Sequence, residues 1–104
     1  MSNSSLVNLV SYSPNHSGRR ENPITKIAIH HTAGVLTAAG IGSVFKSTSR
    51  QASCNYGVGS DGKIVLVVDE CNRAWTTSSS WCDNRAVTIE TSNSQYGGNW
   101  PVSD

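Results

Sequence analysis

Alternating apolar and polar positions define two predicted strands in this chain. Residues 25–31 alternate up to a pair of histidines, and residues 86–91 alternate through an acidic residue. Between these strands, apolar residues at positions 36, 41, 44 and 45 mark one face of a helix, although two glycines weaken the pattern. Thr37 is placed to cap the first turn of this helix. The combination predicts an α/β domain.

A hairpin is predicted in the middle of the chain. Residues 55–59 and 63–68 flank Ser60-Asp61-Gly62, and an Asp-Gly pair favours the positive backbone angle of a tight turn. Residues 64–68 are continuously apolar, as expected for a central strand covered on both faces. Residues 1–23 form a polar lead, in which a short apolar piece at residues 6–10 could add an edge strand or a helical turn.

The first predicted strand ends in a candidate metal ligand. Side chains alternate faces along a strand, so Ile27, Ile29 and His31 share one face and Ala28 and His30 share the other. The two histidines therefore cannot easily hold one metal together. If Ile27 and Ile29 face a helix-covered core, His30 stands on the opposite, open face, where an ion and a substrate have room.

The second predicted strand places a carboxylate opposite its apolar residues, just as the first strand places His30. Val87 and Ile89 point one way, and Glu90 points the other. If both strands bury the same apolar face in one sheet, Glu90 emerges on the His30 side, where a carboxylate near a metal-bound water is a natural general base. The alternative is that His30 or His31 is a hydrogen-bonded core histidine and Glu90 a surface charge on an edge strand.

The residues resemble the zinc-dependent N-acetylmuramoyl-L-alanine amidases of phage endolysins and bacterial autolysins, which are related to the peptidoglycan recognition proteins. The resemblance covers about residues 24–92 in four ordered pieces, at 29–34, 53–64, 72–75 and 84–90. It implies a central mixed β-sheet with flanking helices. It also implies that the first histidine of the pair, His30, binds zinc, and that Glu90 is the glutamate on which one branch of the family relies.

Four further residues are candidate substrate contacts. Cys54 occupies a position where some members place a tyrosine, and Asn55 follows it in the hairpin piece. Trp75 lies in polar surroundings where its ring could stack on a sugar or pack against a stem peptide, although core packing is commoner for tryptophan. Arg73 could approach a substrate carboxylate or pair with Glu70 on the surface.

The resemblance places the remaining zinc ligands beyond this chain. A catalytic zinc needs three protein ligands and an open position for water, and in the family the second and third ligands lie downstream of the strand that holds Glu90. We therefore expect residues 24–104 to be the N-terminal part of a catalytic domain, truncated before its C-terminal helix and inactive in isolation. Such a fragment should expose an apolar face of its sheet and self-associate through it.

The composition and the N-terminal sequence indicate which binding partners and which cellular compartment to expect. A net charge of +1 over 104 residues gives no electrostatic case for nucleic acid, and no segment reaches a membrane-spanning length. The N-terminus lacks the basic and apolar regions of a signal peptide. We expect synthesis in the cytoplasm and action at the bacterial wall after release, as for a phage endolysin.

The three cysteines do not form a recognised metal motif. Cys54, Cys71 and Cys82 lack Cys-x-x-Cys spacing and are interpreted as small buried residues in a reducing compartment. A pairing of Cys71 with Cys82 in an oxidising exterior is the alternative, and Cys54 beside the cleft is a candidate oxidation-sensitive group.

The implied reaction is hydrolysis of the amide between N-acetylmuramic acid and the L-alanine of the stem peptide, with zinc as cofactor and peptidoglycan as partner. The alternative from another class is a non-catalytic peptidoglycan-binding module, which predicts binding that is unaffected by chelators. The retained His30 favours the enzyme, because non-catalytic relatives tend to lose that ligand.

Overall fold

The computed structural model describes residues 3–32 and 34–93 of the chain. A short 3-10 turn at Thr48–Arg50 follows the first helix. The strands and helices, in chain order, are β1 (Leu9–Val10), β2 (His16–Arg19), β3 (Lys26–His31), α1 (Ala38–Val44), β4 (Tyr56–Val58), β5 (Ile64–Leu66), β6 (Asn72–Ala74), α2 (Ser80–Arg85) and β7 (Ala86–Thr91). Among the described residues, no helix is long and apolar enough to cross a lipid bilayer.

The strands form a mixed sheet, as the sequence predicted. Its five strands lie in the order β1-β5-β4-β7-β3, and β2 pairs with β6 in a separate two-stranded sheet. The pairs β3–β7, β4–β7 and β1–β5 are parallel, whereas β4 and β5 are antiparallel. The predicted hairpin joins β4 to β5, and Gly62 adopts the expected positive φ of +77° in its turn.

The N-terminal lead belongs to this architecture. Its apolar piece supplies the edge strand β1, and the residues that follow supply β2. Asn15 is buried, and its amide nitrogen donates to the backbone oxygens of Phe45, Ser47 and Ala52 at 3.2, 2.9 and 3.1 Å. The lead therefore fixes the segment that leaves α1.

α1 packs closely on the large sheet. Thr37 caps it as predicted, since its side chain accepts a hydrogen bond from the backbone nitrogen of Gly40 at 3.1 Å. Ile41 is fully buried above β4 and β5. A Cβ atom at Gly57 would lie 2.6 Å from Ile41 Cγ2 and 2.9 Å from Val65 Cγ1, so the absence of a side chain at Gly57 permits this close approach.

α1 covers the face of the large sheet opposite to the one that the sequence predicted. α1 covers the face of Gly57, the register partner of Glu90, whereas Ile27 and Ile29 are 70% and 55% exposed. The prediction that Ile27 and Ile29 face a helix-covered core is wrong for the residues that the structure describes. Leu36, just before α1, is tied to the end of β7, where its N donates to Ser92 Oγ at 2.8 Å, and α1 packs on the face where Gly57 leaves room for Ile41.

The exposed side of the sheet is apolar, as the sequence predicted for a partly covered domain. Beside Ile27 and Ile29, a shallow depression runs across the neighbouring strands. Its apolar lining residues are Leu6, Val58, Ile64, Val87 and Ile89. Apolar surface of this kind favours self-association.

The cysteines are all free thiols. Cys54 is fully buried in the core beneath α1, whereas Cys71 and Cys82 are half-buried. The alternative pairing of Cys71 with Cys82 is not formed in this structure.

Candidate functional site

His30 and Glu90 lie side by side on neighbouring strands. The parallel register of β3 and β7 aligns His30 with Glu90, one residue before each strand ends. Aligned residues of a parallel pair point to the same face of a sheet. The structure thus brings together the two residues that the sequence singled out for metal binding and proton transfer.

A cavity lies at this point between α1 and the sheet. It has a volume of about 170 Å³, and we call it the Glu90 cavity. One side of it is apolar, and its polar lining consists of His31, Thr32, Arg50 and Glu90. The apolar lining residues are Leu36, Ile41, Val44, Phe45 and Ala52. The face that the sequence predicted to be open is therefore a partly enclosed pocket.

The Glu90 carboxylate is unusual in its surroundings. Its Oε2 atom is buried, and no hydrogen-bond partner for it lies among the described residues. Burial raises the pKa of Glu90 to about 7, against the opposing effect of the Arg50 charge. A buried carboxylate oxygen without a partner costs stability, which points to a functional rather than a structural role.

His31 has a different environment from His30. It is aligned with Thr91, and its Nδ1 lies 3.2 Å from Asn93 Oδ1. The strand register aligns His30 with Glu90, but the histidine that lines the Glu90 cavity is His31.

The described residues supply only part of a zinc site. Within residues 3–32 and 34–93, no group of three or more histidine, cysteine, aspartate or glutamate side chains is close enough to hold a metal ion. An imidazole beside a carboxylate with a buried, unpartnered oxygen nevertheless fits the chemistry of a catalytic zinc centre. A complete site requires further ligands in addition to His30.

Cys54 and Asn55 are not placed to contact a substrate, contrary to the sequence prediction. Both are 0% exposed. Burial and the nearby Glu90 charge raise the pKa of the Cys54 thiol, so it stays protonated and is a poor candidate for oxidation. The Asn55 side chain is engaged within the fold, because Nδ2 donates to three backbone oxygens and Oδ1 accepts from Arg20 and Thr88.

Trp75 and Arg73 lie together at a second cavity of about 260 Å³, which we call the Trp75 cavity. Trp75 Nε1 and Arg73 Nη2 each donate to Ser17 Oγ at 2.6 Å. The surface pairing of Arg73 with Glu70 is not observed; a Glu70 carboxylate oxygen instead accepts from the Tyr56 hydroxyl. The substrate role of Trp75 and Arg73 stays a prediction.

Sequence reasoning missed the residues that hold the site in shape. Arg20 donates to the backbone oxygens of Glu70 and Asp83 at 2.6 and 2.5 Å and to Asn55 Oδ1 at 2.8 Å. Arg50 lies in a polar stretch with no periodic signal, yet it reaches the Glu90 cavity. Asn15 lies in the polar lead, and no pattern in the sequence indicated that it is buried.

Comparisons with known proteins identify a family and a fold for this chain. The family model described as N-acetylmuramoyl-L-alanine amidase, Amidase_2, matches residues 20–104. Three solved structures have a similar fold: a point mutant of PlyL (TM-score 0.67, 13% identity), a selenomethionine derivative of AmpD (0.66, 19%) and PlyL (0.60, 16%). A comparison with curated proteins gave no match.

The structural matches cover most of this chain and a smaller share of the others. They cover 86%, 86% and 88% of this chain, and 60%, 62% and 59% of the mutant PlyL, AmpD and PlyL chains respectively. The chain therefore spans about three fifths of the length of the solved structures that it matches. At these identities the likeness shows the fold, and it confirms the predicted sheet with flanking helices.

Proposed function

Because the chain belongs to the N-acetylmuramoyl-L-alanine amidase family, we propose that the protein hydrolyses the amide between N-acetylmuramic acid and the L-alanine of the peptidoglycan stem peptide, with zinc as its cofactor. The observation that carries the proposal is the pairing of His30 with Glu90, whose buried Oε2 has no hydrogen-bond partner among the residues that the structure describes. Such a carboxylate is costly in a folded protein unless a reaction uses it.

His30 is the residue of this chain that would hold the zinc, through an imidazole nitrogen. When bound, zinc polarises the scissile carbonyl and lowers the pKa of water. The alignment of His30 with Glu90 would bring this chemistry next to the carboxylate.

Glu90 would transfer the proton. A pKa near 7 leaves the carboxylate partly ionised at neutral pH, so it can accept a proton from the attacking water at Oε2. It can then return that proton to the nitrogen of the leaving L-alanine. The apolar wall of the Glu90 cavity excludes bulk water from this exchange and maintains the raised pKa of Glu90.

The metal assignment is tested by His30→Ala in the protein expressed from its complete reading frame. We expect the variant to lose zinc, measured by elemental analysis after dialysis, together with release of stem peptide from purified peptidoglycan. His16→Ala is the matched control, because His16 lies on β2 in the small sheet and its Nδ1 contacts the backbone nitrogen of Gly18. Full zinc content in His30→Ala would contradict the assignment.

The same experiment distinguishes the enzyme from a binding module. A non-catalytic module would bind peptidoglycan equally well with or without a chelator and would release no stem peptide. The amidase should release stem peptide and stop when the zinc is removed.

We also propose that the protein acts at the bacterial wall after synthesis in the cytoplasm, as an endolysin does. Expression in a bacterial host should then cause lysis only when a membrane pore is supplied. Lysis that requires no pore would contradict this route to the wall.

A further inference from the structure

Two cations lie against one exposed aromatic ring near the start of β3 and β7. Lys26 Nζ is 5.2 Å and Arg85 Cζ is 4.5 Å from the centroid of the Trp81 ring. The Trp81 side chain is 57% exposed, and Lys26 is exposed as well. We call these three residues the Trp81 cluster.

The Trp81 cluster has no acid to balance its charge. Neither Lys26 nor Arg85 forms an ion pair with any of residues 3–32 and 34–93, and Arg85 Nη1 instead donates to the Trp81 backbone oxygen at 2.9 Å. Because both cations contact one ring, their charges are at most about 10 Å apart, close to the Debye length at physiological ionic strength. Two like charges held this close favour an anion that approaches both of them.

A second basic group continues this surface. Arg19 and Arg20, together with Asn22 and Cys71, line a cavity of about 130 Å³, which we call the Arg19 cavity. The segment between this cavity and the Trp81 cluster is tied to the end of α2. Arg20 Nη1 donates to the backbone oxygen of Asp83 at 2.5 Å, and the backbone nitrogen of Thr25 donates to the backbone oxygen of Arg85 at 2.9 Å.

This surface carries more charge than the whole chain suggests. Four of the eight lysine and arginine residues lie on it, although the net charge of the chain is only +1. Two acids lie close to it. Asp83 is buried, and its carboxylate accepts from the backbone nitrogens of Thr76 and Thr77, whereas Glu21 is exposed and contacts neither cation of the cluster. The surface therefore attracts anions.

The Trp81 cluster is separate from the proposed catalytic site. Lys26 is aligned with Ala86 at the start of the β3–β7 pair, and His30 is aligned with Glu90 four positions later. At roughly 3.3 Å per residue, these two levels of the sheet are about 13 Å apart. No member of the cluster lines the Glu90 cavity. A ligand bound at Trp81 therefore leaves that cavity open.

We propose that the Trp81 cluster and the Arg19 cavity bind a phosphodiester-linked polymer of the bacterial wall. Lysine and arginine pair with successive phosphates, and the carbon chain between two phosphates packs on the exposed Trp81 ring. Cations spread along a surface suit a polymer with repeated charges. The choice of a wall polymer rests on the proposed function, which brings the protein to the wall.

Isothermal titration of deacylated lipoteichoic acid, a glycerol phosphate polymer without lipid, into the 104-residue chain tests this proposal. Raising the NaCl concentration from about 50 to about 200 mM should weaken binding about sevenfold if two phosphates are neutralised, and more if Arg19 and Arg20 contribute. Lys26→Gln/Arg85→Gln should weaken binding about tenfold or more. Trp81→Ala should weaken it several-fold.

The matched control is Lys46→Gln/Lys63→Gln. It removes the same charge from two exposed lysines outside this surface, and it should bind the polymer like the parent. Lys26→Glu keeps the test informative if the loss of Arg85 disturbs α2. Because Lys26 is exposed, this variant should retain the parental circular dichroism and still bind about tenfold more weakly.

Several results would overturn the proposal. Equal losses in the two double variants would show attraction to the net charge alone. A parent that does not bind the polymer, or a Lys26→Glu variant with parental affinity, would exclude the site. Tighter binding of a single-stranded DNA oligonucleotide or of anionic phospholipid vesicles than of the polymer would show that the partner is wrong.

The failure of this inference and the failure of the proposed function can be told apart. If the chain binds the polymer through the Trp81 cluster but the complete protein releases no stem peptide from peptidoglycan, the polymer site stands and the amidase assignment falls. If stem peptide is released but polymer binding does not depend on the cluster, the amidase assignment stands and the polymer site is wrong.

Discussion

The buried carboxylate of Glu90 should make the protein less stable as the pH rises. Burial raises its folded pKa from 4.5 to about 7, whereas an unfolded chain restores the ordinary value. Between these two values the folded state retains a proton that the unfolded state has lost. The stability present below pH 4.5 is therefore lost progressively as the pH rises towards 7.

The magnitude follows from the size of the shift. At about 1.4 kcal/mol per pKa unit, the full shift corresponds to an upper bound of about 3 kcal/mol. Glu90 is only half-buried, so solvent screens part of this cost, and we expect about 1–2 kcal/mol. Glu90→Gln removes the charge with little change in shape and should recover this amount above pH 7.

Thermal unfolding at pH 4 and pH 8 measures the effect. Glu90→Gln should melt about 5–10 °C above the parent at pH 8 and close to it at pH 4, given about 4–8 °C per kcal/mol for a domain of this size. EDTA in both buffers removes any contribution from bound metal. Glu21→Gln is the matched control, because Glu21 is exposed and its substitution should change stability by less than about 0.5 kcal/mol at either pH.

The opposite pattern would refute this reasoning. Glu90→Gln could instead melt below the parent at pH 8, or its melting temperature could exceed that of the parent by the same amount at both pH values. Either result would show that burial of the Glu90 charge does not destabilise the fold. The carboxylate would then be a structural acceptor.

Three further outcomes follow from the packing. Asn55→Ala should destabilise the chain by about 3 kcal/mol or more in urea unfolding, because buried donors and acceptors lose their partner; a loss below 1 kcal/mol would argue against this network. Gly57→Ala should cost about 1–3 kcal/mol through the clash with Ile41, and an unchanged melting temperature would show that α1 can move away. Replacing Ile27 and Ile29 by threonine should reduce self-association in sedimentation with little loss of stability, whereas unchanged association would exclude this face.

The sequence predicted the elements whose signals are local. The alternation of apolar and polar residues predicted β3 and β7, the capping threonine predicted the start of α1, and the Asp-Gly pair predicted the hairpin turn. The juxtaposition of His30 and Glu90 could also be anticipated, because two strands in one sheet with matching alternation align residues of the same face.

The remaining features depend on contacts between distant segments. Which face α1 covers depends on the crossover past β7 and on the missing side chain at Gly57, and neither appears in a hydrophobic pattern. Asn55 looked like a cleft residue because of its position in a motif, but tertiary hydrogen bonds bury it. The hydrogen bond from the Trp75 indole to Ser17 depends on the pairing of β2 with β6, which are far apart in the chain.

The most direct test of the central claim is hydrolysis of a defined muropeptide by the protein and by Glu90→Gln, each expressed from the complete reading frame with zinc. Mass spectrometry of the products identifies the bond that is cut. We expect the parent to release a stem peptide with a free L-alanine amino group, and Glu90→Gln to retain zinc and lose turnover by roughly two orders of magnitude or more, the scale of a removed general base. Cleavage by Glu90→Gln at the parental rate, or cleavage at another bond by the parent, would contradict the account.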